Sequence, residues 1–366
     1  MNEHELAILR QFCLDAEPAS CTPYGCGHIN RTYLVATAGG RCYILQKINH
    51  HTFRDVAGLM ENIELVTEHL RRKSPDPRSV LTLIRTKDGK SYLEADDGYW
   101  RVFRFVEDSI CLQQPESDAD FYESAVGFGT FQQLLSDFPA EKLHETIPNF
   151  HNTPDRYRAF LETLTRDPMH RAAQVQPEIE FALARQAEMA TLQNALNTGD
   201  LPLRVTHNDT KLNNVLFDAK TRKALCVIDL DTVMPGSALY DYGDSIRFGA
   251  ATAAEDEREL DKMEMSLERF RVFTRGYVRA CPGLTQKELE LLPLGAKVMT
   301  MECGVRFLTD HIDGDNYFSI HREGQNLDRA HTQFKLVADM ERKWDKMKEI
   351  VNEEVQNAKE NGSCCI

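Results

Sequence analysis

Before residue 108 the apolar residues of this chain alternate as in strands. After it they recur at helical spacing, with a single β-like interruption at residues 205–231. Residues 116–136, 154–166, 174–198, 256–280, 285–311 and 326–360 all read as helices, the last rich in Lys and Glu and solvated toward its end. The first 107 residues read differently. RTYLVAT and RCYILQKIN are rich in β-branched and aromatic side chains and are parted by the turn Ala38–Gly40. Residues 54–73 place Val56, Leu59, Met60, Ile63, Val66 and Leu70 on one helical face. VLTLIRT and SYLEADDGYWRVFRFVED supply further strands around a KDGK turn. The expected fold class is α+β with two lobes. A small antiparallel β N-lobe with one helix occupies residues 1–107, and a larger, mostly helical C-lobe occupies 108–366, with a small-ligand cleft where they meet.

Composition narrows the function. With 366 residues the chain has material for more than one compact core. Its formal net charge of -14 argues against a nucleic-acid groove, which needs a basic surface. No apolar run approaches the ~18 residues of a membrane helix, and the acidic start, MNEHELAILRQFCLD, reads as a first helix and not as a leader. Ten cysteines without a CxxC pair read as reduced thiols in a cytoplasmic protein, and the final SCCI as a frayed tail.

The polar interruption carries the chemistry. In HNDTKLNN, His207, Asp209 and Asn214 follow the pattern H-x-D-x-x-x-x-N. In phosphoryl transfer a protein mostly positions groups and neutralises charge. Asp209 can take a proton from an attacking hydroxyl. Asn214 can ligate Mg²⁺ without repelling a triphosphate, and Lys211 can offset charge on the moving phosphoryl group. Fifteen residues after Asn214 the apolar run ALCVIDLD ends in Asp229 and Asp231. These hard oxygen donors suit Mg²⁺, with Asp229 the main ligand and Asp231 a second ligand or a helper.

The N-terminal candidates are weaker. GCGHIN places Gly25 and Gly27 between strands, as in a flap whose amides approach phosphates, and His28 there can touch phosphate or substrate. Asn30 stands where a third glycine would be. Lys47, near the end of a strand, can reach nucleotide phosphates with Glu61 or Glu64 as its ion-pair partner. Asp241 and Asp244, in SALYDYGDSIR, lie at an apparent helix start and read as structural, capping that helix or bracing the neighbouring loop. Further on, Arg306, Asp310 and Tyr317 offer the donors, acceptors and flat surface that a sugar needs.

HNDTKLNN followed by VIDLD resembles the signature of the aminoglycoside phosphotransferase and choline kinase superfamily, relatives of the protein kinases. The resemblance spans most of the chain. It implies a protein-kinase-like fold, ATP as co-substrate and a small-molecule acceptor. Asn208 replaces the Arg of H-R-D, DLD replaces D-F-G, and no A-P-E follows, so protein phosphorylation is not implied. Within the superfamily, THNDTKLNNVLFD, CVIDLDTVMPGSALYDYGDSIRFGA and VRFLTDHIDGDNYF resemble the amino-sugar kinases. That implies transfer to the anomeric 1-hydroxyl of N-acetylglucosamine or N-acetylgalactosamine. An aminoglycoside, homoserine or choline acceptor on the same fold is the alternative.

Overall fold

The computed structural model describes residues 3–25 and 29–362, so the expectations for Gly27, His28 and the tail 363–366 fall outside the described residues. The chain opens with helix α1 (Glu3–Leu9) and strands β1 (Pro18–Pro23), β2 (Arg31–Thr37) and β3 (Cys42–Ile48). Helix α2 (Val56–Lys73) and strands β4 (Leu83–Ile84), β5 (Leu93–Ala95) and β6 (Gly98–Arg104) follow. The sheet is antiparallel in the order β1-β2-β3-β6-β4, with β5 also on β6. Gly40 (φ 85°) makes the β2–β3 turn, a backbone conformation that glycine adopts without strain.

Helix α2 forms as its spacing predicts. Val56, Leu59, Met60, Ile63, Val66 and Leu70 are all buried. Asp55 caps its start by accepting the Gly58 amide, and Ser74, extended because Pro75 follows, ends it. Period-2 alternation gives the sheet two unlike faces. Tyr43, Leu45, Trp100 and Val102 pack with Ile8 and Leu9 of α1 on one side. Ile48 and Phe103 pack with α2 on the other, and that core runs on into Val205, Cys226, Leu230 and Val233.

The remainder is helical around a small β block. It comprises β7 (Ser109–Cys111), α3 (Asp118–Leu134), α4 (Thr153–Arg166), α5 (Gln176–Leu183), α6 (Gln186–Met189), α7 (Thr191–Thr198) and β8 (Arg204–Thr206). Then come β9 (Val215–Asp218), β10 (Ala224–Val227), β11 (Met234–Gly236), α8 (Ala238–Gly249), α9 (Leu267–Ala280), α10 (Gln286–Asp313), α11 (Gln325–Arg342) and α12 (Trp344–Gly362). Strands β7, β9 and β10 form one antiparallel sheet, and β8 pairs with β11. Helices α8 and α10 touch backbone to backbone. A Cβ on Gly243 would sit 2.3 Å from the Gly295 carbonyl oxygen, and one on Gly295 would sit 2.9 Å from that of Leu239.

Three expected helices are shorter or broken. The 174–198 stretch divides into α5, α6 and α7, with Arg185 at the first break, its guanidinium laid on Phe181 and bonded to Glu341. The 256–280 helix starts only at Leu267, because the Met265 amide donates to Asp339 and Ala251 bridges Met265. The 326–360 helix breaks at Lys343, whose ammonium donates to the Met265 carbonyl. In each case a distant partner overrides local helical periodicity. Among the described residues no helix is long and apolar enough to cross a membrane.

Candidate active site

The two carboxylate-bearing motifs are woven into one polar lattice. His207 is fully buried between β8 and the loop, edge-on to Phe128 and Phe131. Its Nε2–H donates to the Ile228 carbonyl at 2.8 Å, so Nδ1 is the acceptor that faces the Asp209 amide at 3.3 Å; the tautomer is assigned from these partners. Thr232 Oγ1 donates to the His207 carbonyl at 2.6 Å, Asn208 Nδ2 to the Thr232 carbonyl at 2.8 Å, and the Ile228 amide to the Asn214 carbonyl at 2.9 Å. Asn208 has φ 65° and Asp229 φ 58°, left-handed positions where Asn and Asp are among the best-tolerated side chains.

Helix α8 holds the loop from beneath. Asp241 accepts the amides of His207 (2.9 Å) and Asn208 (2.8 Å) and the Gln132 amide group (2.9 Å). Burial pushes its carboxyl above the ordinary value, against the pull of His207 and of these donors. Asp244 accepts the Thr210 amide and the Arg247 guanidinium, and although burial acts to raise its pKa, Arg247 and Lys211 hold it below the usual carboxylate range.

These braces leave Asp209 at the rim, about a third exposed. Its Oδ1 pairs with Lys211 Nζ at 2.9 Å, and its Oδ2 accepts Asn214 Nδ2 at 3.1 Å. Asp209 in turn holds the Lys211 ammonium well above its ordinary pKa. Asn214 directs its amide nitrogen at Asp209, so its carbonyl oxygen is the atom left for a hard cation. Asp229 is exposed as a residue. The protein around it, and then the carboxylates of Asp231 and Asp209, push its carboxyl up to about 7.

That donor set fits a magnesium ion. It is all oxygen, it is accessible, and it concentrates negative charge that a cation would relieve. Among the described residues no three His, Cys, Asp or Glu side chains converge to hold a metal by themselves. Asn214, Asp229 and phosphate oxygens would therefore share it. Arg101 Nη2 donates to Asp231 Oδ2 at 2.9 Å and Nη1 lies 2.5 Å from Oδ1 as an ion contact, Asn30 donates to Oδ2 at 2.5 Å, and the buried Oδ1 accepts no hydrogen bond.

The N-terminal candidates do not gather as expected. Lys47 does not pair with Glu61 or Glu64. Its Nζ lies 2.6 Å from Asp97 Oδ2 and 5.4 Å from the Trp100 ring centroid, on the α1 face. Burial raises the Asp97 pKa, but bonds from Lys47, Trp100 and His4 outweigh it and hold the carboxyl at about 2. Glu61 pairs with His144 at 2.7 Å and Glu64 with Arg85 at 2.9 Å. The cause is strand alternation, which turns Lys47 and its neighbour Gln46 to opposite faces. Gly25 has φ 79° with open space around it, in the loop after β1.

Toward the C-terminus the structure brings Arg306 and Tyr317 together. The Arg306 guanidinium stands 5.4 to 5.6 Å from the ring centroids of Phe318, Phe150 and Tyr317, and Nη2 donates to Tyr317 Oη at 3.3 Å. Tyr317 is 65% exposed. Asp310 is buried and accepts four donors: the amides of Asn316, Tyr317 and Phe318 and the Asn326 side chain. It shapes the turn that presents Tyr317. A relay joins this cluster to the loop, with His151 between Glu302 Oε1 (2.8 Å) and the Asn208 carbonyl (3.2 Å).

Sequence reasoning missed Arg101, the bond from Asn30 to Asp231 and the His151–Glu302 pair. Arg101 had a signal, a charge inside the apolar run YWRVF. His151 had none.

A family model described as "Phosphotransferase enzyme family" matches residues 20–272. Several solved structures share the fold. Amicoumacin kinase in complex with AMP-PNP, Ca²⁺ and amicoumacin is 14% identical, covering 92% of this chain and 93% of its own, at TM-score 0.57. Choline kinase from Cryptosporidium parvum is 12% identical, covering 96% and 98%, at 0.58. Spectinomycin phosphotransferase in complex with ADP and spectinomycin is 10% identical, covering 93% and 98%, at 0.60.

Proposed function

This chain belongs to the phosphotransferase enzyme family, and on that premise we propose that it is an ATP-dependent N-acetylhexosamine 1-kinase. It transfers the γ-phosphoryl group to the anomeric hydroxyl of N-acetylglucosamine or N-acetylgalactosamine, in the cytoplasm, where its cysteines stay reduced. The kinase reading is supported by the lattice that ties Asn214 to Asp209 and joins their loop to the turn before Asp229, where the Asp209 charge acts on the Asp229 carboxyl.

Asp209 receives the proton of the 1-hydroxyl as the new P–O bond forms. Lys211 and Asn214 fix both of its oxygens, so its orientation is set before the acceptor arrives. Asp241 and Asp244 hold the backbone amides beneath it. Asn214, through its carbonyl oxygen, and Asp229 would hold Mg²⁺. Bound there, the ion would neutralise phosphate charge. Gly25, in the loop after β1, would let its backbone approach the nucleotide phosphates.

The amino-sugar acceptor rests on the resemblance of residues 206–218, 226–250, 305–318 and 326–337 to amino-sugar kinases. It is supported by Arg306 among the rings of Phe150, Tyr317 and Phe318, which suits a neutral sugar better than an amine, because a cationic acceptor would meet the guanidinium. ADP release with ATP and Mg²⁺ tests it against N-acetylglucosamine, N-acetylgalactosamine, galactose, choline, homoserine and an aminoglycoside, with NMR locating the phosphate. Turnover only with the two N-acetylhexosamines, phosphorylated at C1, is expected. Preference for choline, homoserine or an aminoglycoside would replace the sugar reading with the alternative.

A further inference from the structure

Two cations occupy adjacent positions of the β3–β6 ladder and face opposite ways. Lys47 pairs in register with Trp100 on the α1 face, while Gln46 pairs with Arg101 on the α2 face. Arg101 is 1% exposed. Its Nε donates to Gln46 Oε1 at 2.9 Å, and Gln46 Nε2 passes the chain on to Thr32 Oγ1 at 3.1 Å. Its Nη2 donates to Asp231 Oδ2, its Nη1 lies against Oδ1 as an ion contact, and Asn30, just before β2, also donates to Oδ2. Asn30 Oδ1 in turn accepts the Asn49 amide at 2.9 Å. One continuous polar chain therefore runs from the N-terminal sheet to the turn that carries Asp229.

In protein kinases the interior cation is a lysine on the third strand, and its acidic partner lies on the following helix. Here the inward position of β3 is Gln46, and α2 offers Met60, whose sulfur is 3.9 Å from Arg101 Nη1. The interior ion pair is built from other elements, with its cation on β6 and its acid two residues after Asp229. A planar guanidinium presents its donors in fixed directions, which an ammonium cannot do.

We propose, resting on the kinase reading above, that Arg101 is a positioning residue: its fork anchors Asp231 and so aims the carboxylate of Asp229 at a metal–nucleotide complex. Asp231 is the anchor of that fork and not a metal ligand. The test is Mn²⁺ binding in the presence of ADP, read from the EPR signal of free Mn²⁺, with folding checked by circular dichroism. The proteins are wild type, Arg101→Lys, Asp231→Asn and the apolar pair Arg101→Met with Asp231→Leu. Removing such a support typically weakens metal binding about 10- to 100-fold, and that loss is expected in all three variants. The apolar pair removes both buried charges together and leaves no unpaired charge inside, so it keeps the test open where a single substitution does not fold. Binding within about 2-fold of wild type in any folded variant overturns the proposal, as does failure of all three to fold. Loss in Asp231→Asn with retention in Arg101→Lys would make Asp231 a ligand and also overturn it. If the wild-type protein itself does not bind Mn²⁺ with ADP, the kinase reading fails, a result distinct from loss of the positioning role alone.

Discussion

Asp229→Asn should stabilise the metal-free protein while removing its capacity for metal. Asp229 sits at φ 58°, which Asn tolerates as well as Asp, so the substitution changes charge with little change in backbone strain. Its carboxyl is pushed from 3.8 to about 7, first by the surrounding protein and then by Asp231 and Asp209. The sign follows from proton counting. Between the two values the folded state binds more protons than the unfolded chain, so this group's contribution is fully present below pH 3.8 and is lost as pH rises through about 7. A dry site would convert that shift to about 4 kcal/mol. The residue is exposed, and screening reduces the figure to on the order of 1–2 kcal/mol. For 366 residues the unfolding entropy is about 0.8 kcal/mol/K, so the variant should melt about 2 °C higher at pH 8 and equal wild type near pH 4. Thermal melts in chelator across that range read the difference. Mg²⁺ with ADP should then raise the wild-type Tm and leave the variant unchanged. A variant that melts lower than wild type at pH 8 without metal would refute the argument.

Other outcomes follow from the same contacts. Asp209→Asn should lower turnover ~10²–10⁴-fold while ADP binding by calorimetry stays within a few fold of wild type. Asp241→Ala leaves two buried backbone amides without an acceptor and should lower stability by about 2–4 kcal/mol in urea titrations, with activity lost. Asp310→Ala frees the turn before Phe318 and should raise acceptor KM much more than ATP KM in steady-state assays. Gly243→Ala forces α8 away from α10 and should lower stability by at least about 2 kcal/mol, measured by the same titrations.

Much of the architecture was legible because it rests on periodicity. The apolar spacing of α2, the turn at Gly40 and the strands flanking the polar block appear where local sequence places them. The breaks at Arg185 and Lys343 and the late start at Leu267 come from partners far along the chain, which no window of sequence contains. The candidate site divides the same way. HNDTKLNN and VIDLD announce their residue types, but which carboxylate is gripped and which is open depends on Arg101, more than a hundred residues away. Lys47 shows the sharpest limit, since a shift of one position along a strand moves a side chain to the opposite face.

The most direct test is a crystal structure of the protein grown with ADP and Mn²⁺, read at the manganese absorption edge. An anomalous peak within about 2.5 Å of both the Asn214 carbonyl oxygen and an Asp229 carboxylate oxygen, with Asp209 facing the terminal phosphate, is the predicted result. A peak coordinated by neither residue, or Asp209 turned from the phosphate, would contradict the account.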